Sequence, residues 1–199
     1  GVYPQGIADM FAELDKAKPV DIYINSGGGD VFAALAICSI IKRHEGETVG
    51  HIDGIAASAA SVIACACDKI EMPEYAQMMI HRPWTYAYGN ADDLLEACDM
   101  LGKAEESMVS IYKGKLAAGA DEDKLREALK TETWYTGKDI GDMFVVSVTK
   151  SESAAAALSD YYGTYKNQPK PDPEPKADHG KDKAAERTAM IAVFKKFYK

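Results

Sequence analysis

Residues 20–43 read VDIYINSGGGDVFAALAICSIIKR, and this stretch decides the fold. Residues 20–25 alternate and are rich in β-branched and aromatic side chains, which predicts a strand. The run Gly27-Gly28-Gly29 behind them is a sharp turn. Asp30 is placed to cap a helix, and Ala34, Leu35, Ile37, Cys38 and Ile41 supply a buried face over residues 31–43. A second unit of the same kind follows. Residues 48–53 form a short strand, Gly54 a turn, and residues 56–67 a helix of Ala, Ser, Val, Ile and Cys. Repeated strand, turn and helix units predict an α/β fold with a mainly parallel sheet.

Working outward, Ile7, Met10, Phe11 and Leu14 make a helical stripe that Pro19 ends. Two further strands are expected at 69–72 and 77–80, separated by Pro73-Glu74, with His81 just beyond the second. Asn90 followed by Asp93 resembles a capping box. It opens a helix to about Leu116, with Leu94, Leu95, Cys98, Leu101, Ala104, Met108, Ile111 and Tyr112 on one side. At about 1.5 Å per residue that helix is about 40 Å long, more than a small core needs, which implies subunit contact. A short helix covers 121–130, with Leu125, Ala128 and Leu129 inward. Residues 167–183 turn to Lys, Pro, Asp and Glu and read as a linker. The expected organisation is therefore one domain over 1–166, that linker, and a short amphipathic helix over 184–199.

The net charge of -8 argues against nucleic acid as the main partner. No apolar run reaches the roughly 18 residues needed to span a bilayer, and the first residues lack a signal-peptide pattern, so the expected location is cytoplasmic with no membrane partner. Cys38, Cys65, Cys67 and Cys98 show no paired metal-ligand spacing and are expected to be buried reduced thiols. No metal or cofactor is expected.

Chemistry is expected where strands end and turns expose backbone amides. Ser58 falls at the first turn of its helix, which leaves the Ala59 amide free to face an oxyanion, and the glycine turn can bring a second amide nearby. His81 can act as the base that a serine nucleophile needs. Each feature also has a plain structural reading, and a glycine triplet can equally cradle a phosphate or an acyl thioester.

Three segments in order narrow this choice: Tyr23 to Asp30 (YINSGGGD), Gly54 to Ser61 (GIAASAAS) and Met79 to Pro83 (MIHRP). They resemble the signature segments of the Clp protease proteolytic-subunit (ClpP) family, over roughly residues 5 to 142. Pro83-Trp84, residues 88–94 and Glu132-Thr133-Trp134 resemble its phage and prophage branch. The resemblance implies a ClpP/crotonase-like fold with a long protruding oligomerisation helix. It implies Ser58 as nucleophile, His81 as base, Glu132 as third triad member, and Gly29 and Ala59 as oxyanion-hole amides. Asp139 or Asp142 are alternatives to Glu132, where many relatives have Asp.

By the same resemblance the partners are a polypeptide substrate and further copies in a ring, heptameric or stacked. An ATPase unfoldase or phage head proteins (capsid, portal or scaffold) are further candidates. Gly27 stands where relatives usually have Pro. The family's first strand is not found before residue 1, so the sequence as given is expected to open inside the fold. Residues 143–148 find no counterpart. The other readings are a crotonase-like acyl-CoA binder and a catalytically silent ring scaffold. A serine–lysine peptidase would need Lys42 or Lys69, neither of which stands in that motif context.

Overall fold

Local capping and burial set the helices. Asp30 accepts a hydrogen bond from the Ala33 amide at 2.7 Å and starts α2 (Val31–Lys42), which buries Ala34, Ile37, Cys38 and Ile41. This i, i+3, i+4, i+7 spacing turns one face inward, and α2 packs against the helices that precede and follow it in the chain. The computed structural model describes residues 2–149 and the backbone of residues 188–192. In order these are α1 (Pro4–Glu13), β1 (Val20–Ser26), α2, β2 (Thr48–Ala57), α3 (Ala59–Ala66), β3 (Lys69–Pro73) and β4 (Gln77–Ile80). There follow α4 (Ala91–Lys113), α5 (Glu122–Lys130), β5 (Thr133–Thr136), a 3-10 turn (Ile140–Asp142), β6 (Ser147–Thr149) and β7 (Thr188–Ala192).

The strands run in the order β5-β4-β2-β1-β7, with β3 pairing β2 and β6. Every pairing is parallel except β4 with β5. This is the expected α/β architecture of strand, turn and helix units. All of α3 is buried, and its small side chains allow it to pack closely against α2 and the sheet. Ile22, Ile24, Ile52, Ile70, Met72, Met78 and Ile80 form the sheet's share of the core.

Several expectations are corrected. The strand β2 does not stop at Gly54 but continues to Ala57, because it changes partner there: residues 49–51 pair with β3 and residues 55–57 with β4. A Cβ at Gly54 would stand 3.1 Å from Asn25 Oδ1, so the glycine serves close strand approach rather than a turn. The helix behind it is correspondingly shorter than residues 56–67. Cys38, Cys65 and Cys67 are buried, and burial pushes the thiols of Cys38 and Cys67 up to about 12, but Cys98 is exposed. It lies on the amino-terminal half of α4, where Leu94 and Leu95 are also exposed; Ala104, Met108, Val109 and Tyr112 bury the other half.

Residues 188–192 form a strand in place of the helix expected over 184–199. They pair with β1 from Val20↔Thr188 to Ile24↔Ala192. The reason lies in the backbone: an edge strand presents unpaired N–H and C=O groups, and a ladder satisfies them where a short helix cannot. Residues 150–166, the linker 167–183, and 184–187 and 193–199 lie outside the described residues. Of residues 143–148, for which the resemblance offered no counterpart, Met143 and Phe144 are buried in the core. Phe144 is fully buried between Tyr112 and Tyr135, and β6 pairs with β3.

Candidate active site

Ser58 is the single residue between β2 and α3, and its backbone is unusual. It has φ 55 and ψ -125, a conformation that side-chain-bearing residues adopt only at a cost of about 1–3 kcal/mol. The sequence placed it inside the first turn of the helix; it stands instead at a sharp elbow before that helix. The elbow is held from both sides. The Ser58 amide donates to the Met79 carbonyl at 2.9 Å, and the Ser58 carbonyl accepts from the Ser61 amide at 2.9 Å and the Ser61 hydroxyl at 2.6 Å.

His81 follows β4 directly. Its Nε2 lies 2.7 Å from Ser58 Oγ, within the reach required of a general base. The antiparallel β4–β5 pair ends at Ile80↔Thr133, so one further step puts His81 beside Glu132. The Arg82 amide bonds to the Leu129 carbonyl at 3.0 Å and fixes this junction to the end of α5. Glu132 Oε2 is 3.9 Å from His81 Nδ1, an ion-pair distance rather than a hydrogen bond, and the carboxylate side chain is 59% exposed. Glu132 has φ 51, the left-handed conformation that turns the chain from α5 into β5.

Burial holds the His81 imidazole below its ordinary pKa, opposed by the Glu132 charge. Its resting form at neutral pH is uncharged. A neutral ring that accepts from Ser58 at Nε2 carries its proton on Nδ1, the side facing Glu132.

The glycine turn is pressed against the elbow. Gly28 has φ 94, and a Cβ there would meet the Ala57 carbonyl oxygen at 2.6 Å, Ser58 Cβ at 2.8 Å and the Ala59 nitrogen at 3.0 Å. Only glycine fits this approach. Gly29 and Ala59 both line a cleft of about 520 Å³ with Ser58 and His81. Ala59 is the first residue of α3, so its amide is among those a helix start leaves without an intrahelical partner. Met79, Trp84, Met100, Leu101, Met108 and Trp134 make the cleft walls largely apolar.

Ser58, His81, Gly29 and Ala59 thus surround one cleft, with Glu132 adjacent. Asp139 is committed elsewhere: its Oδ1 accepts from the Thr136 amide and hydroxyl at 2.6 and 2.9 Å. Asp142 sits in the 3-10 turn, and among the described residues Glu132 is the carboxylate that pairs with His81. Lys69 pairs with Glu47, and Lys42 lines a separate groove between α2 and α4. No group of three or more possible metal ligands occurs among the described residues, and none of their helices is long and apolar enough to cross a membrane. Sequence reading missed the roles of Gly28 as the point of closest approach, of the Met79 carbonyl, and of Ser61 and Tyr112 behind the elbow.

Residues 7–147 match the family described as Clp protease. The chain is 30% identical over 128 residues to the ATP-dependent Clp protease proteolytic subunit of Bacteroides fragilis, covering 63% of this chain and 61% of that protein. It is 31% identical over 142 residues to the corresponding subunit of Bdellovibrio bacteriovorus, covering 66% of each. With proteolytic subunit 3 of Rhodococcus jostii it shares 26% over 151 residues, or 74% of this chain and 73% of that one. The chain spans about three fifths of the length of the Bacteroides fragilis relatives. Because the family match runs from α1 to the start of β6, through both strand, turn and helix units, the Ser58 elbow and His81, the chain belongs to the Clp protease family.

Proposed function

We propose that this protein is a serine endopeptidase that hydrolyses peptide bonds through an acyl-enzyme on Ser58. The observation that carries the reading is the 2.7 Å contact between His81 Nε2 and Ser58 Oγ at a strained elbow facing an apolar cleft. His81 takes the hydroxyl proton as Oγ attacks the scissile carbonyl, and the amides of Gly29 and Ala59 receive the oxyanion. His81 then gives the proton to the leaving amine. Water, deprotonated by the same imidazole, releases the acyl group and restores Ser58. Glu132 favours the Nδ1–H tautomer and the transient imidazolium.

A polypeptide in extended form suits the cleft. The exposed Leu94 and Leu95 on α4 support assembly with further copies, in a ring as the family resemblance suggests. The names of the relatives favour an ATPase partner. The residues shared with the phage branch favour capsid, portal or scaffold proteins as substrates.

A fluorophosphonate tests the chemistry directly. Its expected result is one adduct per chain, mapped by mass spectrometry to Ser58 and lost on acid denaturation beforehand. Acyl-CoA binding without any adduct would favour the thioester-binding reading instead.

The pH dependence follows from the burial of His81. The imidazole must be neutral to act, so kcat/KM should rise with pH through a midpoint below the ordinary imidazole value of about 6.5. Glu132 is the group that raises this pKa, so Glu132→Gln should move the acid limb to still lower pH. Its plateau should fall about 10- to 100-fold, less than the roughly 10⁴-fold loss when a hydrogen-bonded aspartate is replaced. A pH–rate profile whose acid limb stays in place in Glu132→Gln would remove Glu132 from this role.

A further inference from the structure

Behind the cleft lies a buried hydroxyl pair that the proposed chemistry does not use. Ser61 on α3 and Tyr112 on α4 are fully buried, with their oxygens 2.7 Å apart. The Ser61 hydroxyl donates to the Ser58 carbonyl at 2.6 Å. A hydroxyl has one proton to give, so Tyr112 is the donor in the other contact. Burial pushes the Tyr112 phenol well above its ordinary pKa, which keeps that proton in place. The Ser58 carbonyl also accepts from the Ser61 amide. Both of its lone pairs are therefore occupied, one by the backbone of α3 and one by a hydroxyl that α4 holds.

The carbonyl of Ser58 and the amide of Ala59 belong to one peptide unit. That unit is trans and planar, so the two groups point in opposite directions and cannot turn independently. Whatever fixes the Ser58 oxygen also fixes where the Ala59 N–H points. We infer that Ser61 and Tyr112 are positioning residues that lock the 58–59 peptide plane and so aim the Ala59 amide at the oxyanion. This rests on the peptidase reading of Ser58. It gives the buried half of α4 a part in catalysis without contact with substrate.

The test compares wild type with Tyr112→Phe, Ser61→Ala and the double variant. Tyr112→Phe removes one oxygen and leaves the ring packed against Phe144. An oxyanion forms only after attack, so kcat should fall about 10-fold in each single variant with KM unchanged; losing a donor outright costs about 10²–10³. A peptide boronate, which forms a tetrahedral adduct on the serine, should lose affinity by the same factor. The double variant should be no worse than Ser61→Ala, because the two groups act as one chain. A lower melting temperature with kcat and boronate affinity unchanged, or additive losses in the double variant, would overturn the inference. A wild type that takes no fluorophosphonate defeats the peptidase reading and not the anchoring. Crystal structures of wild type and Tyr112→Phe then decide it: a rotated 58–59 peptide plane upholds the anchoring, and an unmoved one overturns it.

Discussion

Ser58→Ala is expected to lower kcat/KM for a peptide substrate by about 10⁴-fold or more, while leaving the melting temperature within about 2 °C of wild type. The two halves of this expectation have separate causes. In the proposed mechanism the hydroxyl forms the acyl bond, and it is the group that stands 2.7 Å from His81 Nε2. The fold loses little, because the elbow is held by backbone: the Met79 carbonyl on the Ser58 amide, and Ser61 on the Ser58 carbonyl. Alanine keeps all of these. His81→Ala should cost a similar factor, and the double variant should lose little more, since nucleophile and base act as a unit. Binding of an uncleaved peptide should persist in Ser58→Ala, because the apolar walls of the cleft remain. Peptidase activity that survives Ser58→Ala in protein free of contaminating protease would remove the mechanism. A collapse in melting temperature would show that the loss of activity came from unfolding.

What was legible in the sequence was local. The Asp30 cap, the reciprocal capping by Asn90 and Asp93, and the strand at residues 20–25 each depend on neighbours within a few residues, and each is found as expected. Gly54 shows how local reading fails: a glycine between apolar runs looks like a turn, but β2 passes through it to reach β4. The left-handed φ of Ser58 could not be read either. The bond that holds its amide is to the Met79 carbonyl on β4, a partner that the local sequence does not reveal. His81 and Glu132 are neighbours only because β4 and β5 are antiparallel, and nothing in either segment encodes that pairing. Here the family resemblance supplied what periodicity could not. Tyr112 fitted the apolar stripe of α4 and read as core; its ring is core, but its hydroxyl is paired with a side chain 51 positions away.

The glycine turn gives the second large effect. Gly28→Ala should lower the melting temperature by about 4–20 °C and slow fluorophosphonate labelling of Ser58 by about 100-fold or more. The backbone there has φ 94, which costs an alanine about 1–2 kcal/mol. The new methyl carbon would also stand 2.6 Å from the Ala57 carbonyl oxygen and 3.0 Å from the Ala59 nitrogen. These are backbone atoms of β2 and α3 and cannot swing aside as a side-chain tip would. Relief therefore has to separate the glycine turn from the elbow, at an overpacking cost of about 1–3 kcal/mol. At roughly 2–4 °C per kcal/mol for a chain of this size, the sum gives the stated shift. The same separation carries the Gly29 amide away from the Ala59 amide, which is why labelling should fall by the factor expected for a lost oxyanion donor. Gly27→Ala is the control, since a Cβ at Gly27 meets nothing within 4 Å. That variant should change stability by less than about 0.5 kcal/mol and label at the wild-type rate. If Gly28→Ala were to label as fast as Gly27→Ala and melt with it, the turn would not be seated on the elbow. The two proposed amide donors would then owe their spacing to something other than this glycine.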